Sequence, residues 1–232
     1  MAFTGSVVDE CSFGSVPNGG VFRFDGKTTT TIAKFGSPAD IFTVIAFPSI
    51  NERGQVAFLV NPLQNFCPST PGIEAGDLYV GDGTSLMKIA EAFTAPSLNN
   101  RGEVGFIGMT GGALSILVSD GTKTRIVADT NGPFADFPQS FLVRAGISLN
   151  DPGNVAFMAI LDDGNLGIFT GPDVVKDKVI ATGDLLAGSS VSGGIVLSRK
   201  ALNNNGQIAF QAALADGRMV VVRAEPKKYP LN

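Results

Sequence analysis

The sequence predicts an all-β repeat protein, a β-propeller of about five four-stranded blades with incomplete terminal blades. Three observations predict it. An Asn-x-x-Gly turn followed by a short apolar strand recurs along the chain. The repeat length is close to 50 residues: the phenylalanines that end each copy are 55, 48, 51 and 53 residues apart. No stretch has the length and 3.6-residue period of an amphipathic helix. A four-stranded unit repeated every 40–50 residues reads as a propeller blade.

The copies are Asn51-Glu-Arg-Gly54-Gln-Val-Ala-Phe58, Asn99-Asn-Arg-Gly102-Glu-Val-Gly-Phe106, Asn150-Asp-Pro-Gly153-Asn-Val-Ala-Phe157 and Asn203-Asn-Asn-Gly206-Gln-Ile-Ala-Phe210. Met1-Ala2-Phe3 reads as the tail of a fifth copy. Within a copy, an apolar run precedes the Asn (42–50, 141–149) and forms the first strand. The Asn-x-x-Gly makes a tight turn, since Asn tolerates left-handed backbone and Gly adopts a positive φ without steric cost. The Val-Ala-Phe run is the second strand. A third follows at 21–24, 77–80, 115–118, 166–170 and 218–223. Asp-Gly at 25–26, 82–83 and 120–121 signals a hairpin into a fourth strand at 29–34, 86–90, 123–128 and 178–181. Segments such as 36–40 and 131–139, rich in Gly, Pro and Ser, are expected to cross from one blade to the next. One domain results, with repeats over about 1–41, 42–93, 94–139, 140–193 and 194–232.

Composition narrows the function classes. The net charge is −4, and the 17 basic residues form no cluster beyond Lys227-Lys228, so no basic face for nucleic acid is expected. No apolar run reaches 18 residues, so no membrane-spanning helix is expected. The first residues lack the charged and apolar regions of a signal peptide. Histidine and tryptophan are absent, which removes the commonest general base and the best ring for stacking on sugars or cations.

The four Asn-x-x-Gly-x-(Val/Ile)-(Ala/Gly)-Phe copies resemble the bacterial NxxGxxAF tandem-repeat proteins over nearly the whole chain. The first copy departs by lacking its Asn and Gly, and the third by Gly105 where Ala is usual. The resemblance implies an exported or cell-surface bacterial protein, with a cytoplasmic location as the alternative. It implies no catalytic residues.

Candidate sites each have a plain structural reading. Asn51, Asn99, Asn150 and Asn203, with Gly54, Gly102, Gly153 and Gly206, are either a ring of ligand-binding turns or the turn chemistry every blade needs, and the second is favoured. The repeated phenylalanines are read as inter-blade core. Asp-Gly turns, with Asp162 and Asp163 the least poor pair, are weak Ca²⁺ candidates, because calcium takes six to eight oxygens and no Asp-x-Asp-x-Asp loop exists. No other cofactor is expected. Cys11 and Cys67 fall in matched loops of adjacent repeats and read equally as a disulfide, which would indicate an oxidising compartment, or as two free thiols. The long loops 4–20 and 61–76, with Asp9, Glu10, Asn65 and Glu74, are the candidate face for a glycan or protein partner. The leading function is a non-catalytic binding or surface-structural module. The alternatives are a glycan hydrolase using paired carboxylates, or a subunit that self-assembles through its incomplete edge blades.

Overall fold

A computed structural model describes residues 2–5, 19–35, 43–62, 75–138 and 147–226. Those residues form strands and turns and no helix, gathered into five antiparallel sheets. The first sheet holds β1 (Ala2–Gly5), β2 (Gly19–Phe24) and β3 (Thr29–Phe35). The second holds β4 (Thr43–Ile50), β5 (Val56–Pro62), β6 (Gly76–Gly81) and β7 (Leu86–Ala92). The third holds β8 (Ser97–Leu98), β9 (Val104–Thr110), β10 (Ala113–Ser119) and β11 (Thr124–Asp129). The fourth holds β12 (Phe134–Asp136), β13 (Ser148–Leu149), β14 (Val155–Leu161), β15 (Leu166–Phe169) and β16 (Lys178–Ala181). The fifth holds β17 (Leu185–Leu186), β18 (Ser189–Leu202), β19 (Ile208–Leu214) and β20 (Met219–Ala224).

The motif places its strands alike in every sheet. Phe3, Phe58, Phe106, Phe157 and Phe210 stand opposite Phe22, Tyr79, Leu117, Phe169 and Val222 of the neighbouring strand. Alternation of side chains along a strand then sorts the motif between two junctions. Val56 and Phe58 pack with Val21 and Ile32 of the preceding sheet, whereas Ala57 and Leu59 pack with Val104 and Phe106 of the following one. The same division recurs at the next two junctions, down to Ala156 and Met158 against Ile208 and Phe210. Each repeat thus contributes a backward face bearing the motif Phe and a forward face bearing the residues between. Burying one such Phe stabilises by roughly 1.5–3 kcal/mol. Gly105 departs from the usual Ala because a Cβ there would come within 2.9 Å of Ile147 Cγ2.

The first strands are the irregular ones. In β4 the register slips between Ala46 and Ser49, around Pro48. Pro96 directly precedes the two-residue β8. Proline has no N–H to give to a ladder and is confined to bulges and strand starts. In the fourth sheet β12 pairs with the far end of β14 and β13 with its near end. The segment 131–139 is therefore not purely a crossing: it carries β12, because Phe134 and Phe137 are buried among Phe157 and Phe169. The fifth sheet likewise begins at β17, ahead of residue 194.

The sheets curl around an axis. First strands of consecutive sheets lie against one another, β4 on β8, β8 on β13 and β13 on β18. The fifth sheet also comes back to the third. Lys200 Nζ donates to Leu98 O at 3.1 Å, and Ser97 Oγ donates to Arg199 O at 3.2 Å. The fold is a β-propeller of about five blades; among the described residues the first sheet has three strands, and the fifth has four, with β20 at its outer edge.

The Asp-Gly hairpins β2–β3, β6–β7 and β10–β11 share one construction. Asp25, Asp82 and Asp120 bond N–H to the carbonyl three residues on, and Gly26, Gly83 and Gly121 take φ of +102°, +99° and +88°. Glycine takes this positive φ at no steric cost. Each carboxylate accepts the next two free N–H groups, at 2.8 Å. These bonds lower Asp25 and Asp120 to about 2, and Asp82 is lowered in the same way. A carboxyl with a depressed folded pKa stabilises above its unfolded value near 3.9 and loses that contribution as pH falls through the folded value. The melting temperature is therefore expected to fall between about pH 5 and pH 2. A D25A/D82A/D120A variant is expected to show a flatter decline, read by calorimetry. Parallel curves for the two proteins would show that these turns do not carry the acid lability.

Candidate functional site

The Asn-x-x-Gly turns sit together at one end of the axis, and three hydrogen-bond ladders stitch them from blade to blade. Within a turn the Asn side chain closes the loop: Asn99 Oδ1 accepts from Arg101 N (3.0 Å) and Glu103 N (2.9 Å), and the Gly102 N–H reaches Asn99 O (3.2 Å). The amide nitrogen then reaches forward. Asn51 Nδ2 donates to Asn99 O (3.0 Å), Asn99 Nδ2 to Asn150 O (3.0 Å) and Asn150 Nδ2 to Asn203 O (2.9 Å). These three asparagines are buried. Two residues upstream, a serine repeats the device: Leu98 N donates to Ser49 Oγ, Leu149 N to Ser97 Oγ and Leu202 N to Ser148 Oγ.

The third ladder lines an opening. Glu52 N donates to Asn100 Oδ1 (2.8 Å), Asn100 N to Asp151 Oδ1 (2.8 Å) and Asp151 N to Asn204 Oδ1 (2.9 Å). Asn100 Nδ2 and Asn204 Nδ2 both donate to Asp151 Oδ2, at 3.1 and 2.8 Å. The cavity they border has a volume of about 460 Å³ and a floor formed by Ile50, Leu98, Leu149 and Leu202, the residue before each motif Asn.

One cation enters it. Between Leu197 and Leu202 the register of β18 against β19 slips widely, and the bulge carries Lys200 into the opening. Desolvation holds its ammonium below the ordinary lysine range, with the charge of Arg199 adding to this and that of Asp151 opposing it. Asp151 is held low, first by the Asn100 N–H and then by the Asn204 amide. It stays an anion and a hydrogen-bond acceptor, which suits it poorly to donating a proton.

The predicted Asn and Gly positions are therefore turn chemistry, and they are also the staples between blades. Gly54 and Gly153 additionally present their carbonyls to Arg23 and Arg125 of the preceding sheet. The residues that face the opening are those after each Asn, namely Glu52, Asn100, Asp151 and Asn204, with Lys200. Sequence reasoning passed over them. The available signals were the polar residue always found at that position and the Ser-(Ile/Leu)-Asn run at 49–51, 97–99 and 148–150. Asp162 and Asp163 lie in the β14–β15 hairpin, where Asp163 spends both oxygens on Asn165 N and Nδ2, each at 2.9 Å. Among the described residues no group of three or more Cys, Asp or Glu is placed to hold a metal ion, and no helix is long and apolar enough to cross a membrane. Asp9, Glu10, Cys11, Asn65, Cys67 and Glu74 lie outside the described residues.

Fold and opening together define an all-β propeller with a polar axial mouth. The chain belongs to the family of unknown function DUF7453, whose model matches residues 68–220. No curated protein matches it. Among solved structures it is similar to a luciferin-regenerating enzyme at 12% identity, covering 91% of this chain and 72% of that one, with a TM-score of 0.39. It is similar to TolB from Acinetobacter baumannii at 12% identity, over 91% and 60% of the two chains, with a TM-score of 0.35. The lectin of Aleuria aurantia, described as a six-bladed β-propeller that recognises fucose, matches at 11% identity over 91% and 74%, with a TM-score of 0.38.

Proposed function

We propose that the chain is a non-catalytic binding module whose axial opening takes a small hydroxyl-rich ligand, a saccharide by class. The observation that carries this reading is the lining of the opening. Asp151, Glu52 and the amides of Asn100 and Asn204 surround an aliphatic floor, with Lys200 the one cation lining it among the described residues. A hydroxyl donates and accepts at once, so it pairs with carboxylate, amide and ammonium alike. An anionic ligand would meet Asp151 and Glu52, and a simple cation would meet Lys200. The floor suits the C–H face of a sugar ring, since ligand sites combine apolar lining with a few placed polar groups.

Titration calorimetry with a panel of mono- and oligosaccharides tests it. A saccharide is expected to bind, and Lys200→Ala and Glu52→Ala are each expected to weaken it by roughly 10- to 100-fold, the worth of a hydrogen bond to a charged group. Both side chains border the solvent, so their melting temperatures are expected to stay close to that of the parent. Absence of heat with every saccharide, or binding indifferent to both substitutions, would remove this site from the function.

A further inference from the structure

We infer that Lys200 makes the axial opening a reversible covalent site for a small hydroxylated aldehyde, the open-chain form of a reducing sugar by class, held as an imine on its amine. This rests on the reading of the opening as a saccharide site and adds the group that bonds to the sugar carbon. The lysines of this protein are not placed alike. Lys88, Lys176 and Lys178 each stand against a carboxylate, of Asp77, Asp173 and Asp184, at 2.7, 3.3 and 2.7 Å. Such a partner favours the ammonium and keeps the lone pair bonded to a proton. Lys200 instead donates to a neutral acceptor, the Leu98 carbonyl, at 3.1 Å. Among the described residues no carboxylate forms an ion pair with it.

The surroundings weaken its charge further. The slipped register of β18 against β19 puts the side chain in an opening whose floor is Ile50, Leu98, Leu149 and Leu202. Desolvation there and the like charge of Arg199 both favour the neutral amine, against the attraction of Asp151. The residue is nonetheless exposed where it borders the opening, so a solute can reach the nitrogen. A lysine becomes a nucleophile near neutral pH when it is desolvated or set beside another cation. Arginine, always charged, has no such chemistry.

The step balances with water as the only other participant. The ammonium releases one proton to water, and its lone pair attacks the aldehyde carbon. A C–N bond forms, the carbonyl π pair moves to oxygen, and a proton passes from nitrogen to that oxygen. The released proton returns to the new hydroxyl, the C–O bond breaks, and water leaves. One ammonium and one aldehyde thus become one iminium and one water. The iminium keeps one N–H, as many as the Leu98 carbonyl engages. Its positive charge is favoured by the same Asp151 carboxylate that the ammonium feels. Glu52, Asp151 and the amides of Asn100 and Asn204 border the opening and can pair with the hydroxyls on the remaining carbons.

Incubation with glyceraldehyde and sodium cyanoborohydride near neutral pH, followed by digestion and peptide mass spectrometry, tests the proposal. The reductant delivers hydride to the imine carbon and fixes each adduct as a secondary amine. Lys200 is expected to be labelled several times faster than the exposed Lys27 and Lys123. Lys200→Arg is expected to remove the fast adduct, with labelling elsewhere and the melting temperature unchanged. Propanal, which has no hydroxyls, is expected to show a smaller preference for Lys200 over Lys27. A methyl glycoside, which has no free aldehyde, is expected to slow labelling at Lys200 alone. Labelling of Lys200 no faster than that of Lys27 and Lys123 would overturn the proposal, whatever saccharides do in the calorimeter. Fast labelling that propanal matches and the methyl glycoside leaves untouched would support the nucleophilic amine and remove the saccharide reading instead.

Discussion

Replacing Phe157 by Ala is expected to destabilise the protein by about 3–5 kcal/mol, the range for truncating a large aromatic in a packed core. Phe157 is 1% exposed and stands 5.8 Å from the ring of Phe134, 5.8 Å from that of Phe137 and 6.3 Å from that of Phe169. Each aromatic contact adds about 0.5–1.5 kcal/mol beyond the area it buries, and a cavity at this junction has rings on several sides that cannot all relax into it. At about 2–4 °C per kcal/mol for a chain of this size, the melting temperature is expected to fall by roughly 10 °C. Phe210→Ala removes the same motif residue from a junction lined mainly by aliphatic side chains, and its loss is expected at the lower end of the range. Calorimetry and urea unfolding of both variants check this. A loss below about 1 kcal/mol for Phe157→Ala would show that the junction between the third and fourth sheets does not hold the molecule together.

Asn99→Ala is expected to cost about 3–4 kcal/mol, and the same substitution at Asn203 about 1 kcal/mol, although both occupy one position of one motif. Asn99 is 3% exposed. Its loss strands the Arg101 and Glu103 N–H groups, the Glu103 carboxylate and the buried carbonyl of Asn150. Each buried group left unsatisfied costs about 1–3 kcal/mol. Asn203 makes the same local bonds in contact with water, and its orphaned partners are rehydrated. Asn99→Asp separates the two roles, since it keeps the turn-closing acceptor and removes the forward donor. It also places a carboxylate against Asn150 O and Glu103. It is expected to be nearly as destabilising as Ala at position 99 and mild at 203. Urea unfolding of the four variants reads the difference, and equal losses at both positions would show that the forward bond contributes nothing.

The contrast between those two asparagines bears on how far the sequence can be read. A turn is a local object. Asn, Gly and the two residues between them meet their own backbone within five positions, so the turn, the strand after it and the Asp-Gly hairpins at Asp25, Asp82 and Asp120 are legible as soon as the repeat is seen. The alternation of Val-Ala-Phe is equally local, and it places Phe58, Phe106 and Phe157 in the core without reference to the rest of the chain. The five-sheet architecture follows from counting those copies. Crossings were less legible. The segment 131–139 reads as a loop by its Gly, Pro and Asn, yet Phe134 and Phe137 draw it into the fourth sheet because a cavity beside Phe157 needs filling.

The site belongs to the other category. Glu52, Asn100, Asp151 and Asn204 are unremarkable turn residues in the sequence, separated by about 50 positions each, and they meet only because the sheets curl around one axis. Lys200 carries no motif at all. Its place in the opening is decided by a slipped register that brings the fifth sheet back to the third, across 102 positions of chain. What the amino-acid sequence determined by itself was the unit: four strands, their turns, and the two faces of each sheet, because period and turn chemistry act over a few residues. What only the tertiary structure decided was which units touch and which polar groups meet at the opening, because hydrogen bonds and burial between repeats depend on positions that no local pattern relates.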